Sequence, residues 1–310
     1  MAGWSARDIP DQDGRTAVVT GANSGLGYVV ARELARKGAR VVLACRDEGR
    51  ARAALERLTG EVPDADAETA RLDLGDLASV RKFASALPYG RIDLLVNNAG
   101  VMALPHGTTA DGFETHFGVN HLGHFALTGL LMPALLAAPH ARVVTVSSML
   151  HALADIDPRD LNNVRRYGRW TAYARSKSAN LLFTHELARR LAARDGGPRV
   201  TAAAAHPGYA ATNLQTAGPR AEGRRVAERL MLLTNLAVAQ PAEAGALPVL
   251  YAATAPAVAP DSFTGPSFAM WRGAPAPSWR APRTRDDAMG ERLWSASERL
   301  TGVTYEALRT

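Results

Sequence analysis

The sequence predicts an α/β protein: a doubly wound, mostly parallel sheet of about seven strands, covered by helices on both faces, in one domain. Three observations predict it. From Thr16 onward, short apolar runs alternate with amphipathic stretches, the pattern of strands joined by covering helices. The apolar runs are continuous in Val, Leu and Ala, as strands buried on both faces require. A glycine-rich turn, Thr20-Gly21-Ala22-Asn23-Ser24-Gly25-Leu26-Gly27, joins the first strand to the first helix.

The elements follow in order. Thr16–Thr20 is β-branched except for Ala17 and reads as the first strand. Gly25–Lys37 reads as a helix that Gly38 ends in the usual capping position. A second strand, Ala39–Cys45, precedes a helix over Glu48–Leu58, and a third, Glu68–Leu74, precedes one over Leu77–Leu87. Ile92–Asn97 and Ala141–Ser147 read as strands four and five, with a long helix over Gly112–Leu136 between them. A second long helix spans Thr171–Arg194, followed by a strand over Arg199–Ala205, a helix over Pro241–Thr254 and a late strand around Ser262–Trp271. The tail from Arg272 is rich in Pro and Arg and turns helical near Ala288–Leu300. Two stretches break the rhythm, an insert at 149–170 and a loop at 209–240. Both follow carboxyl ends of strands, where open α/β sheets bind ligands. Within the second, Arg225–Ala239 is apolar at helical spacing; it reads as a lid over an apolar substrate, as ordinary core, or as a contact with a membrane surface or another subunit.

A chain of 310 residues, 47% hydrophobic and 21% charged, suits one globular domain over residues 1–310. Its formal charge is +6, yet the 36 basic residues are scattered along helices with no basic run or reading motif. This argues against nucleic-acid binding. A single cysteine, Cys45, excludes an intramolecular disulfide and a cysteine-based zinc site and is compatible with a reducing cytosol, so a cytoplasmic location is expected. Residues 1–15 carry charges and no apolar core, unlike a signal sequence. The apolar runs Leu130–Ala138 and Leu230–Ala239 fall short of the roughly 20 residues a bilayer requires, so no integral membrane segment is expected.

Three glycines after a strand and before a helix let backbone amides and a helix N-terminus approach a pyrophosphate. No Lys-Ser or Lys-Thr follows the last glycine, so this is not a nucleotide P-loop. The bland alternative is a tight turn without a ligand. A dinucleotide fold usually ends its second strand with an acid on the adenosine ribose, but here the run is Ala44-Cys45-Arg46. Arg46 suits a ribose 2′-phosphate, predicting NADP(H) over NAD. Alternatively, Arg46 begins a solvated turn and Asp47 meets the ribose.

Tyr173-Ala174-Arg175-Ser176-Lys177 places a phenol and an ammonium on one helix face. A free phenol titrates near 10, so a neighbouring cation would assist acid–base work near neutrality. Alone, this spacing usually marks an exposed helix face. Here Asn97-Asn98-Ala99-Gly100 and Val146-Ser147-Ser148 end the fourth and fifth strands at the same edge of the predicted sheet.

On these motifs the chain resembles the short-chain dehydrogenase/reductase family over about Gly14 to Gly265, implying a Rossmann-type fold. The resemblance implies that Gly21, Asn23, Ser24, Gly25, Leu26 and Gly27 form the cofactor turn, and that Asp73, with Leu74, meets the adenine. Asn97 to Gly100 would form the strand-stabilising motif, with Asn98, Ala99 and Gly100 also meeting the cofactor, and Pro207, Gly208, Ala210 and Thr212 the segment holding the nicotinamide carboxamide. Tyr173, Lys177, Ser148 and Asn120 match the family's catalytic set. In that set the tyrosine exchanges a proton with the substrate oxygen, the serine holds that oxygen, and the lysine lowers the tyrosine pKa and binds the nicotinamide ribose. The asparagine's backbone holds a relay water; its bland reading is an Asn bound to a neighbouring carbonyl. Ser147 would be structural. Asp8-Ile9-Pro10, Ala44-Cys45-Arg46-Asp47, Lys177-Ser178-Ala179-Asn180-Leu181 and the long Ser148-to-Tyr173 spacing resemble the retinol-dehydrogenase and protochlorophyllide-reductase branch. The implied activity is NADP(H)-dependent interconversion of a carbonyl and an alcohol on a small lipophilic or aromatic substrate. Reduction of a C=C bond is the alternative within the family, and a non-catalytic dinucleotide sensor the alternative outside it. The long helices Gly112–Leu136 and Thr171–Arg194 would serve as a homodimer or homotetramer interface.

His151, Trp170 and Tyr209 are candidate substrate contacts, although a plain loop contact for His151 and a core role for Trp170 fit equally. His206 reads as a strand-end packing group. His116, His121 and His124 share one helix, but with no acidic or cysteine partner nearby no metal site is expected.

Overall fold

The computed structural model describes residues 3–163, 165–194, 200–209 and 240–309. Eight strands form one sheet: β1 (Thr16–Thr20), β2 (Arg40–Cys45), β3 (Ala67–Arg71), β4 (Leu94–Asn97), β5 (Ala141–Val146), β6 (Val200–Ala205), β7 (Phe263–Phe268) and β8 (Arg272–Pro277). Their order is β3-β2-β1-β4-β5-β6-β7-β8. Strands β1 to β7 run parallel, and β8 returns antiparallel to β7. The order reverses between β1 and β4, which opens a crevice at their carboxyl ends.

Helices α1 (Gly25–Arg36), α2 (Glu48–Glu61), α3 (Leu77–Ala86), α4 (Thr115–Leu136), α5 (Arg169–Ala192), α6 (Ala242–Thr254) and α7 (Asp287–Thr301) cover the sheet. Strand periodicity divides the core into two layers. Ala17, Val19, Val41, Leu43, Val144 and Ala203 pack with Val29 and Leu34 of α1 and Val249 and Leu250 of α6. Val18, Val42, Leu95, Val143 and Ala202 face Phe125, Leu131 and Met132 of α4, Phe183 and Leu187 of α5, and Trp294 of α7. Local caps fix several helix starts: the side chains of Asp47, Asp76 and Asp286 accept backbone N–H bonds at α2, α3 and α7.

The doubly wound α/β prediction is met, with differences at element ends. The third strand stops at Arg71, because Asp73 turns the chain by accepting a bond from Gly75 N at 2.9 Å. The fourth begins at Leu94, since Asp93 is spent on Thr16 N and Arg91. The long helix expected from Gly112 begins at Thr115, where Glu114 accepts bonds from His116 N and Phe117 N. A wider turn over Gly118–Leu122 then carries Asn120. The late strand ends at Phe268, and the Pro- and Arg-rich stretch after it forms β8, giving eight strands. Pro275 and Pro277 are tolerated there because β8 is an edge strand.

Helix α4 is long and apolar enough to cross a membrane, with mean hydropathy 1.2 over an 18-residue stretch, but 72% of that stretch is buried inside the protein. The expected lid at Arg225–Ala239, like Ala210 and Thr212, lies outside the described residues.

Candidate active site

The carboxyl ends of β1, β4, β5 and β6 open on a cavity of about 870 Å³. Its floor begins at the glycine turn. Gly21, Asn23, Ser24, Gly25, Leu26 and Gly27 all line it, and Ser24 caps α1 without a side-chain bond, leaving the first amides of the helix open to the cavity. The turn is held from behind. Thr20 Oγ1 accepts bonds from Asn98 N and Ala99 N, both at 2.9 Å, while Asn98 Nδ2 donates to Thr20 O at 2.7 Å. Gly27 fits this approach because a Cβ there would lie 2.4 Å from Asn98 Nδ2 and 2.5 Å from Gly21 O.

Arg46 and Arg50 enter the same cavity at the end of β2. Asp47 between them is occupied: its carboxylate accepts Arg50 N at 2.9 Å and Arg50 Nε at 3.0 Å, which lowers its pKa. Among the described residues Arg46 forms no ion pair. A cradle of open amides beside an uncommitted guanidinium fits a phosphorylated dinucleotide.

Ser148, Tyr173 and Lys177 line the same cavity, together with Asn98, Ala99, Gly100, Pro207 and Gly208. Ser148 caps the short turn Met149–Leu153, its Oγ accepting from Leu150 N at 3.2 Å. Tyr173 is 6% exposed and Lys177 3%. Burial pushes the phenol up to about 12, with the neighbouring Ser148 hydroxyl pulling the other way. Burial pushes the Lys177 amine down to about 8. Lys177 is not among the groups that move the phenol in this arrangement. Lys177 Nζ donates to Val146 O at 3.0 Å and lies 5.7 Å from the phenol ring centre, so desolvation of the phenol dominates. Ser147 Oγ donates to Lys177 O at 2.8 Å, fastening β5 to α5.

Asn120 lies behind the cavity, fully buried. Its amide brackets Val101, accepting from Val101 N at 2.8 Å and donating to Val101 O at 3.0 Å, and also donates to Ser176 Oγ at 2.9 Å. Its carbonyl faces His124 Nδ1 at 3.0 Å. That contact makes Nδ1 the donor, so His124 Nε2 accepts from Thr20 Oγ1 at 2.9 Å. Burial holds His124 neutral, its pKa down to about 4.

Other expected residues divide. Trp170, 47% exposed, and Tyr209 line the mouth, which excludes a core role for Trp170. His151 is turned away: it is 1% exposed, does not line the cavity, and packs against Phe263 and Trp279. Asp73 and Leu74 are likewise off the cavity wall, Asp73 serving the Gly75 turn and Leu74 lying in the core. His206 does more than pack, because Gly208 N donates to its Nδ1 at 3.1 Å. The three helix histidines have separate partners: His121 meets Ser297, His124 meets Thr20, and His116 bonds Glu114 at 2.7 Å, an acidic partner the sequence reading did not find. Among the described residues no group of three metal-binding side chains occurs.

Met149 and Leu150 bring the start of the 149–170 insert to the mouth, as expected of it, whereas sequence reasoning passed over Val101, Met102, Ala269 and Trp271, which complete the apolar mouth. Met102 was legible as an apolar residue just after a strand-end motif; Ala269 and Trp271 reach the site only through the β7–β8 turn.

Residues 15–222 match the short chain dehydrogenase family. Human retinol dehydrogenase 12 is 41% identical, covering 99% of this chain and 92% of its own length. Human retinol dehydrogenase 13 is 42% identical over 96% of this chain and 87% of its own length. The crystal structure of an uncharacterised Mycobacterium paratuberculosis protein is 46% identical and superposes with TM-score 0.81, covering 98% of this chain and 99% of that one. An NAD(P)-dependent gluconate 5-dehydrogenase structure from Beutenbergia cavernae, with bound NADP at low occupancy, is 28% identical at TM-score 0.59, covering 82% and 95%. With the glycine turn and the strand-end motifs on one cavity, the chain belongs to the short-chain dehydrogenase family, as an oxidoreductase acting on CH–OH groups and related to the retinol dehydrogenases.

Proposed function

We propose that this protein is an NADP(H)-dependent reductase and dehydrogenase that interconverts a carbonyl and an alcohol on a small lipophilic or aromatic substrate. The observation that carries the reading is the meeting of Ser148, Tyr173 and Lys177 with the glycine turn in one cavity. The residues from Gly21 to Gly27 would hold the pyrophosphate and Arg46 the 2′-phosphate, with Arg50 beside it. Pro207 and Gly208 would meet the carboxamide, and Lys177 the nicotinamide ribose. When bound, the cofactor supplies or takes the hydride.

The chain's own groups account for the proton. With its pKa near 12, Tyr173 keeps its proton at neutral pH and can donate it to a carbonyl oxygen. Ser148 would hold that oxygen through its hydroxyl. Lys177, near 8, exchanges a proton close to neutrality and so can restore the charge balance around the phenol. Asn120 orders the wall by gripping Val101 at both backbone atoms. Met102, Met149, Trp170, Tyr209 and Trp271 supply soft and aromatic surface at the mouth for an apolar substrate. The retinol dehydrogenase names of the relatives favour a lipophilic alcohol or aldehyde of that kind.

The test is NADPH consumption against a panel of lipophilic aldehydes, ketones and quinones, with Tyr173→Phe beside the wild type. We expect wild-type turnover and a fall of roughly 10²- to 10⁴-fold in the variant. Equal turnover would overturn the role given to Tyr173.

A further inference from the structure

Two buried histidines that line no part of the cavity connect it to the chain's C-terminal segment. His151 Nδ1 lies 2.7 Å from Ser148 O, so it donates there, and its Nε2 accepts from Ala281 N at 3.1 Å. His206 has the opposite tautomer: Nδ1 accepts from Gly208 N at 3.1 Å, leaving Nε2 to donate to Ser278 Oγ at 2.8 Å. Phe263 lies between the two rings, at 5.5 and 5.0 Å. Each imidazole therefore bridges one backbone group beside the reacting residues and one group of residues 278–281. Both need the neutral form, because an added proton would set N–H against N–H.

The segment is itself held firmly. Arg280, with a fully buried side chain, donates to Asp261 Oδ1, Leu181 O and the Thr284 carbonyl, fixing the segment to α5. Arg283 donates to His151 O and Ala152 O, while Ser178 Oγ donates to His151 O and Ala154 O. All of residues 278–284 lie beyond 15–222, the part that matches the family.

We infer that Ser278–Arg283 is a positioning element of the active site, setting the Ser148 turn through His151 and the Gly208 turn through His206. The inference rests on the functional reading above for the roles of Ser148 and Gly208. Removing a tie to Gly208 should then act on cofactor binding, and removing a tie to Ser148 on the chemical step.

Ser278→Ala cuts the His206 link with the smallest change. His151→Asn keeps a donor for Ser148 O but cannot reach Ala281 N. Trp294→Phe perturbs α7 without touching either histidine and serves as the stability control. NADPH affinity by fluorescence titration, kcat at saturating NADPH, and amide exchange at Gly208 in the cofactor-free protein are the readouts. Ser278→Ala should weaken NADPH binding roughly five- to tenfold, the effect of one lost buried hydrogen bond, and speed Gly208 exchange with little change in kcat. His151→Asn should lower kcat by a similar factor at unchanged NADPH affinity. Trp294→Phe should lower the melting temperature and leave both quantities alone. Unchanged affinity and exchange in Ser278→Ala, or the same pattern in all three variants, would overturn the inference. A wild type that binds NADPH yet turns over no carbonyl would refute the functional reading while the affinity and exchange results still decide this one.

Discussion

At the scale of single residues, the proposed preference for NADP(H) rests on charge placement at the end of β2. Arg46 and Asp47 are adjacent and both could face a ribose, but the Asp47 carboxylate is committed on both oxygens to Arg50, whereas Arg46 is exposed to the cavity. Arg46→Ala should therefore raise the KM for NADPH by roughly tenfold or more, the value of a charge-assisted contact, and leave the KM for NADH nearly unchanged. Parallel titrations with the two cofactors check it; equal losses for both would return the ribose to Asp47. The residues that meet in the cavity were legible because the strand-end motifs and the Tyr173–Lys177 spacing are local in sequence. His151 was left open between the mouth and a plain loop contact for the opposite reason. Three residues after Ser148 it looks like a wall residue, but its orientation is set by Ala281, 130 residues later, and no local pattern carries that information.

At the scale of elements, the β1–α1 unit shows how local sequence and a distant contact meet. Ala17, Val18 and Val19 place β1 in the centre of the sheet, and the turn after it must pass close to the end of β4. Gly27→Ala would set a methyl 2.5 Å from the Gly21 carbonyl, a backbone atom that cannot swing aside. We expect a loss of about 1–3 kcal/mol in stability and at least tenfold weaker NADPH binding, measured by thermal melting and titration. Retained affinity would mean that the cradle does not carry the pyrophosphate. The alternation of apolar strands and helices along the chain was readable from composition and period, but the half-exposed edge strand β3 lacks the apolar continuity of its neighbours. The β7–β8 hairpin was not readable, since Arg272–Pro277 has the composition of a loop and becomes a strand only by pairing with β7 at an edge. Its turn places Ala269 and Met270 at positive φ and brings Trp271 over Gly208, whose Cβ would meet Trp271 O at 2.2 Å. That part of the site was hidden with it.

At the scale of the whole molecule, the last helix and the buried histidines govern stability. Trp294 of α7 packs on Phe125 of α4 and Phe183 of α5, with Tyr305 closing the cluster. It thereby covers part of the two helices expected to pair between subunits. Trp294→Ala should cost about 3–5 kcal/mol, seen as a lower denaturant midpoint with an unchanged slope. The acid limb has a separate origin. Burial lowers His121 to about 3 and His124 and His206 to about 4, whereas in the unfolded chain each titrates near 6.5. Between those values the unfolded state binds more protons than the folded one, so folding stability is full above about 6.5 and falls as pH drops toward 4. At pH 5 each such histidine removes roughly 2 kcal/mol. His185 has the opposite sign, because its bonds to Asp261 and Asp287 raise its pKa, so it gains as pH falls and offsets part of the loss. The melting temperature should therefore fall steeply from pH 7 to pH 5, and His121→Gln, which keeps a polar group facing Ser297 but cannot titrate, should make that fall shallower. Parallel curves for wild type and variant would place the acid sensitivity in the carboxylates instead, with Glu114 and Asp261, both held below their usual range, as the first groups to replace.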